Sequence, residues 1–407
     1  VAIKNSKIFY YFCNITFKNP IIKDMKKLFT SFLFVLPLII LPGTCAEAQS
    51  KSPFTYEFGN TSIKLGGFIR AVAYYDFDGS IQNSYFIVSG TPNPSNWEYS
   101  SKGSFEMSDS RLSLKITQKT EKLGDVELYF EGDFRGASDV FRLRHAYLSF
   151  LGFVAGQTWS FWYDPSSTPQ TIDIQGVNSR TFYRIPLFGY TTNIGKNLSF
   201  GIALELPKSK ITAPSGYKTV NQVVPDIPVY LQYKAKRGHI KAAAVYRSLS
   251  YGIPSDTKIK SRSGFGAQLS GSLKISKPWT LYSNAIYGRG IARYINDLAA
   301  LSLDLVPDNS NASIQAIPMW GMSLGTKVDL SKSMFYTGSY SVAGMNGKYN
   351  YYSATEYLKG NYFSSSLFWK ITPEFTAGCE YLHGTRENMN RIKADANRMQ
   401  VILTYSF

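Results

Sequence analysis

The sequence predicts an all-β chain, a transmembrane antiparallel up-and-down β-barrel of sixteen strands, and three observations carry that expectation. Apolar and polar residues alternate at every second position through most of the chain, as strands with one face in lipid and one in water require. Aromatic residues make up 15% of the 407 residues, with 29 Tyr, yet no apolar run of about 18 follows Leu41. The last strand places Val401, Leu403, Tyr405 and Phe407 on one face, so the chain stops on a lipid-side aromatic.

The N-terminal part reads as an address. Residues 1–24 precede Met25 and are expected to be an upstream extension without structural role. Met25-Lys26-Lys27, an apolar run from Leu28 to Leu41 and the small-x-small site Ala46-Glu47-Ala48 make residues 25–48 a signal peptide. Pro37 and Pro42 interrupt that run, which argues against a retained anchor. A lipid-modified Cys45 is the rival, poorly served by Pro42-Gly43-Thr44. Cys379 is then the one cysteine of the exported part, so no internal disulfide staples it. A closed, hydrogen-bonded wall supplies the stability instead. Residues 49–60 form a short periplasmic segment, and the barrel covers 61–407.

Each strand is justified by its alternation. In Ile63 to Phe77 the odd positions are mainly apolar, while Lys64, Arg70, Tyr74 and Asp76 hold the even face. Leu112, Leu114 and Ile116 oppose Arg111, Ser113 and Lys115, and after the tight turn Glu121-Lys122-Leu123-Gly124 the pattern resumes with Val126, Leu128 and Phe130. Strands are expected near 61–78, 105–120, 123–135, 139–151, 152–162, 180–193, 196–208 and 227–237, and then near 238–250, 262–277, 278–294, 314–330, 332–346, 356–372, 373–386 and 393–407. Two stretches break the rule: Arg142 to Phe150 loses parity after His145, and Ala242 to Val245 is apolar on both faces. A bulge or a buried neighbour accounts for each.

Short turns such as Lys236-Arg237-Gly238, Ser276-Lys277-Pro278 and Leu330-Ser331-Lys332 alternate with long polar loops at 79–104, 208–226 and 295–313. An outer-membrane barrel keeps its short turns in the periplasm and its long loops outside. The segment Trp162 to Arg180, with Asp164-Pro165, Thr168-Pro169 and Gly176, is expected to fold into the lumen or to remain an exposed loop.

Sixteen strands enclose a water-filled lumen. The net charge is +16, and residues 1–48 hold six Lys and two acids, which leaves +12 for the rest. The cations are spread along the chain rather than gathered into an arm, which speaks against nucleic acid. Those expected to line the pore are Arg70, Arg184, Arg142, Arg144, Arg111, Lys64, Lys115 and Arg247. Guanidinium favours planar oxyanions through paired donors. Some of these charges are met by acids: Lys115 is expected opposite Glu131, Lys119 opposite Glu127, Arg142 opposite Asp133 and Arg144 opposite Glu131. Arg70 and Arg184, with fewer acids nearby, are the cleaner sources of a positive field.

A family resemblance rests on Gly66-Gly67-Phe68-Ile69, Leu123-Gly124-Asp125-Val126, Tyr129-Phe130-Glu131-Gly132-Asp133-Phe134, Phe141-Arg142-Leu143-Arg144-His145-Ala146-Tyr147 and Gly156-Gln157-Thr158-Trp159, in that order. Thr171-Ile172-Asp173 and Arg184-Ile185-Pro186 continue it. The chain resembles the DcaP-type porins over residues 61–206, and later mainly in spacing, with Gly238-His239-Ile240 the best local match. The resemblance implies a homotrimeric outer-membrane channel passing small hydrophilic solutes, with an arginine-lined passage preferring anions such as dicarboxylates. Arg142 and Arg144 stand on its paired-arginine motif and Arg184 on its Arg-x-Pro motif. Gly189 stands where the family often has a further Arg.

Rival functions find little in the sequence. His145, His239 and His383 lie in no nucleophile motif and Gly-x-Ser-x-Gly is absent, so an outer-membrane hydrolase has no visible centre. Neither a cofactor nor a metal is implied. A non-selective pore and a structural or adhesin barrel remain as alternatives. The expected partners are solutes, outer-membrane lipid, further copies of the chain and, through Phe407, the barrel-assembly machinery.

Overall fold

The computed structural model describes residues 54–81, 84–212, 217–253, 256–308, 313–346 and 353–407. The expected extension, the signal peptide, Cys13 and Cys45 lie outside the described residues.

Alternation fixes the wall. Sixteen antiparallel strands follow one another: β1 (Thr61–Asp78), β2 in two pieces (Lys102–Glu106 and Arg111–Thr120), β3 (Gly124–Asp133), β4 (Arg142–Phe150), β5 (Phe153–Trp159), β6 (Arg184–Asn193), β7 (Leu198–Glu205) and β8 (Ile227–Ala235). They continue as β9 (Gly238–Ile253), β10 (Asp256–Lys274), β11 (Trp279–Arg289), β12 (Pro318–Asp329), β13 (Met334–Met345), β14 (Tyr357–Lys370), β15 (Phe375–Asn388) and β16 (Lys393–Ser406). Each pairs with its neighbours in sequence, and β1 also pairs with β16 from Phe68↔Ser406 to Asp76↔Arg398, which closes the sheet. No free edge is left along that seam.

The seam is fastened between β1 and Phe407. Gly67 and Phe407 exchange backbone hydrogen bonds of 3.3 and 3.1 Å. Gly67 has φ +152°, and a Cβ there would lie 2.2 Å from the Arg111 carbonyl oxygen, so only glycine fits. A short strand, Thr55–Phe58, folds back on Thr61–Lys64, and Phe54 packs its ring edge-on against Phe407.

The outward face carries Leu65, Ile69, Phe130, Phe188, Leu231, Phe265, Leu324 and Leu403, all exposed in the isolated chain as a lipid-facing surface is. Both exceptions to the alternation find causes. Between Glu131 and Gly132 the register with β4 shifts, so that Arg144 is the extra residue of a bulge and Arg142, Arg144 and His145 share one face. In β9, Ala243 and Val245 are apolar on the inner side because Trp162 and Ile291 pack on them.

Three connections turn inward. In 160–183 the Ile172 and Asp173 N–H groups donate to Glu380 of β15 at 3.0 and 2.6 Å, and Thr337 of β13 donates to the Gln170 carbonyl at 2.7 Å. Missing side chains on the wall make room: a Cβ on Gly321 or Gly325 of β12 would come within 2.8 Å of Ser179 or 2.5 Å of Pro169. Connections 79–101 and 290–305, which overlap the polar outer loops expected at 79–104 and 295–313, bury Ile81, Phe86 and Val88, and Ile291, Tyr294, Ile295 and Leu298. Their apolar side chains have no lipid to face, so they pack against 160–183, where the Asn296 and Asp297 N–H groups meet the Arg180 and Asn178 carbonyls at 2.9 and 3.0 Å. Accordingly β11 ends at Arg289, five residues earlier than expected, at Gly290 with φ +64°.

Candidate functional site

The inward segments cover the inner faces of β9 to β16, whose polar residues, among them Gln268, Ser323, Thr337, Ser364, Glu380 and Gln400, are buried. The inner faces of β2 to β6 keep accessible charge. There a ladder is built from consecutive strands. Arg142 of β4 forms a two-pronged contact with Asp133 of β3, at 2.9 and 2.7 Å. Arg144 bonds Glu131 at 2.5 Å and Asp133 at 2.8 Å, and Arg111 of β2 stands 3.7 Å from Glu131. Tyr129 and Tyr147 donate their hydroxyls to Glu131 at 2.9 Å and Glu127 at 3.2 Å. Two fixed acids thus hold three guanidinium groups, a surplus of positive charge with strong hydrogen bonds.

The expected site residues separate into three groups. Arg142 and Arg144 meet Asp133 and Glu131 as expected, although Arg144 is only 2% exposed. Lys115 is accessible but bonds Glu127 at 2.5 Å instead of Glu131. The β2–β3 hairpin closes one residue earlier than expected, which moves each cross-strand partner by two and pairs Lys115 with Tyr129 and Lys119 with Asp125. Lys64 lies near the short-turn end, exposed and directly across from Lys115.

Arg184 of β6 makes no ion pair among the described residues. Its guanidinium lies over Trp159 at 4.6 Å and Phe182 at 5.7 Å, close enough to Arg144 and Arg142 for their charges to act on it. Its Nη1 is enclosed without a hydrogen-bond partner among the described residues.

Two expectations change. Arg70 is not a bare lumen charge, because its Nη2 donates to the Ile172 carbonyl and so ties 160–183 to β1. Arg247 does not line a pore at all: it is 0% exposed, bonded to Asp226 at 3.0 Å, Asp304 at 2.5 Å and the carbonyls of Gly290 and Lys208 at 2.6 and 2.7 Å. The segments that bring Asp226 and Asp304 to it are distant in sequence, so alternation in β9 alone could not show the enclosure.

A model of the Porin subfamily matches residues 53–402. The chain belongs to the Porin subfamily. This porin is an integral outer-membrane protein and a channel, with a closed sixteen-strand barrel. The outer membrane channel DcaP of Acinetobacter baumannii matches with a TM-score of 0.74 at 20% identity, over 86% of this chain and 99% of that one. Salmonella typhi OmpF, solved in complex with daunomycin, gives 0.56 at 10% identity, over 87% and 100%. OmpT of Vibrio cholerae in its trimer form gives 0.53 at 10%, over 85% and 99%. No curated protein matches the sequence. At these identities the likeness to the solved porins is one of fold.

Sequence reasoning missed Arg180, Phe182, Trp159 and Tyr85. Arg180 lies over Phe182 at 4.4 Å, and Tyr85 comes down from connection 79–101 to bond Arg142. The period-two spacing of Arg180, Phe182 and Arg184 was a usable signal; the arrival of Tyr85 from a distant loop had none.

Proposed function

We propose that this porin favours small anions, such as dicarboxylates, drawn along the charged half of its inner wall. The observation that carries the reading is Arg184: a guanidinium without a carboxylate partner among the described residues, beside a ladder in which Arg111, Arg142 and Arg144 outnumber Glu131 and Asp133. A low-dielectric wall focuses such a field on passing ions. Segment 160–183 narrows the passage and presses the solute path toward that half. Assembly as a homotrimer belongs to the same reading, supported by OmpT having been solved in a trimer form.

Reversal potential in planar bilayers under a salt gradient tests the preference. A potential of anion sign is expected, and a cation sign or zero would sink the reading. Liposome swelling with dicarboxylates, sugars and amino acids then separates a selective channel from a general one, in which all three enter alike.

A further inference from the structure

A second polar cavity lies away from the arginine ladder, near the short-turn end, on the inner face of β8 to β10. It encloses about 440 Å³ and is floored by two cross-strand rows. Lys234, His239 and Ser272 pair directly across three strands, as do Gln232, Lys241 and Ser270. The rim is Asp164 to Ser166, the start of segment 160–183.

The hydrogen bonds assign a role to each group. Asp164 accepts from His239 Nε2 at 2.8 Å and from Ser270 at 2.7 Å, and the His239 Nδ1 shares a hydrogen bond of 3.0 Å with the Ser272 hydroxyl. Lys241 donates to the Phe161 and Tyr163 carbonyls at 2.9 and 2.7 Å and lies 4.3 Å from the Tyr230 ring. Two acids act on Lys241 by charge, Asp164, already bonded to an imidazole and a hydroxyl, and Glu205, already bonded to the Ser160 hydroxyl and the Phe161 N–H, while Lys234 stands at the open side of the cavity. Lys234 is exposed and makes no ion pair or side-chain hydrogen bond among the described residues, and the Gln232 amide is likewise unengaged.

Ser272, His239 and Asp164 stand in the order of nucleophile, base and acid. The backbone N–H groups flanking Ser272 are committed to the β9–β10–β11 ladder, so no donor pair is set where an acyl oxyanion would form. The cavity is equipped to bind rather than to cleave.

We propose that this cavity is a second anion station, in which Lys234 and Gln232, backed by the charge of Lys241, hold a compact oxyanion such as phosphate or a carboxylate. It rests on the anion reading only for the supply of solute, since none of its residues belongs to the arginine ladder. A solute leaving that ladder toward the short-turn end, which is periplasmic in outer-membrane barrels, meets a partner before bulk water.

The test uses the full-length channel in planar bilayers, with inorganic phosphate added to the short-turn side and its brief interruptions of chloride current recorded. Interruptions are expected for the native channel and for R184A. In K234Q their apparent affinity should fall roughly tenfold, the worth of one charge-assisted contact, and in Q232A a few-fold. Lys234 is exposed at a strand end, and heat-modifiable mobility in detergent gels confirms that K234Q folds. Equal phosphate affinity in K234Q and native channel would overturn the proposal, as would loss of the interruptions in R184A alone. Interruptions that depend on Lys234 in a channel without anion preference would keep the station and remove only the arginine reading.

Discussion

The inner faces of β2 to β6 and of β9 to β16 are made by the same alternating backbone and both carry polar residues, but the two halves use them differently. On the first, Arg111, Lys115 and Arg142 keep access to the lumen, held at strand-to-strand spacing by Glu131, Glu127 and Asp133, and Arg184 stands beside them over Trp159. On the second, Arg247, Arg398, Glu380 and the serines of β13 and β14 are sealed beneath the inward segments. Arg398 grips Asp76 at 2.6 and 2.9 Å and the Ser84 carbonyl at 2.9 Å. The lesson is that an inward arginine is either a solute contact or a rivet, and a loop from elsewhere decides which.

The largest expected effect attacks a rivet. R247M would leave Asp226 and Asp304 buried without their shared partner, a loss of about 3–5 kcal/mol. The folded form should vanish from heated detergent gels at a lower temperature, with the anion preference of surviving channels unchanged. Unaltered thermal resistance would break the contrast between the halves.

Next in size is the anchor of segment 160–183. E380A leaves the Ile172 and Asp173 N–H groups without an acceptor, at about 1–3 kcal/mol for each stranded group. Single-channel conductance and open-channel noise should both rise, and unchanged traces would mean that the segment is held without Glu380.

On the accessible half, R184A should lower the anion-to-cation permeability ratio about two- to threefold by removing one unpaired charge, with stability changed by less than about 0.5 kcal/mol. A permeability ratio equal to the native one would take Arg184 off the solute path.

The smallest effect concerns pH. Burial, with the Glu380 carboxyl close by, pushes the Asp173 carboxyl up to about 7. A carboxyl raised on folding favours the fold while protonated, so its support is complete below its unfolded value of about 3.9 and is lost as pH rises through about 7. The groups around it are Glu380, Arg398, Arg70, Arg180 and Tyr362. Open-channel noise should therefore grow between pH 5 and pH 8, and D173N should flatten that dependence. A slope that persists in D173N would assign it to another group.

The wall was legible in the sequence because a strand writes its two faces into every second residue, and all sixteen strands form at or near the expected places. The ladder of Arg142, Arg144, Glu131 and Asp133 was legible for the same reason, since a short turn fixes register to within a residue or two. What connections 79–101 and 290–305 do was not legible. Their apolar residues, Phe86, Val88, Tyr294 and Leu298, follow no strand period, and only tertiary packing gives them a place. That packing also explains the two misplaced cations. Arg70 and Arg247 have the spacing of lumen residues, and their fate is set by Ile172, Asp226 and Asp304, none of which is local.

The bulge at Arg144 couples two properties that look separate. Below it the strand sends Arg142 to water and Leu143 to lipid; above it His145 and Tyr147 face water, and Ala146 packs beside Phe130 on the lipid side. Deleting Arg144 would leave His145 opposite Glu131 and Leu143 opposite Gly132 in one regular ladder, with every neighbour still on its present face. What the extra residue adds is its side chain: a guanidinium bonded to Glu131 and Asp133 on the water side, directly beside His145, where strict alternation would place a lipid-facing residue. One irregular step in the backbone thus gives the strand two neighbouring water-facing positions, and the passage gains a cation without the barrel gaining a strand.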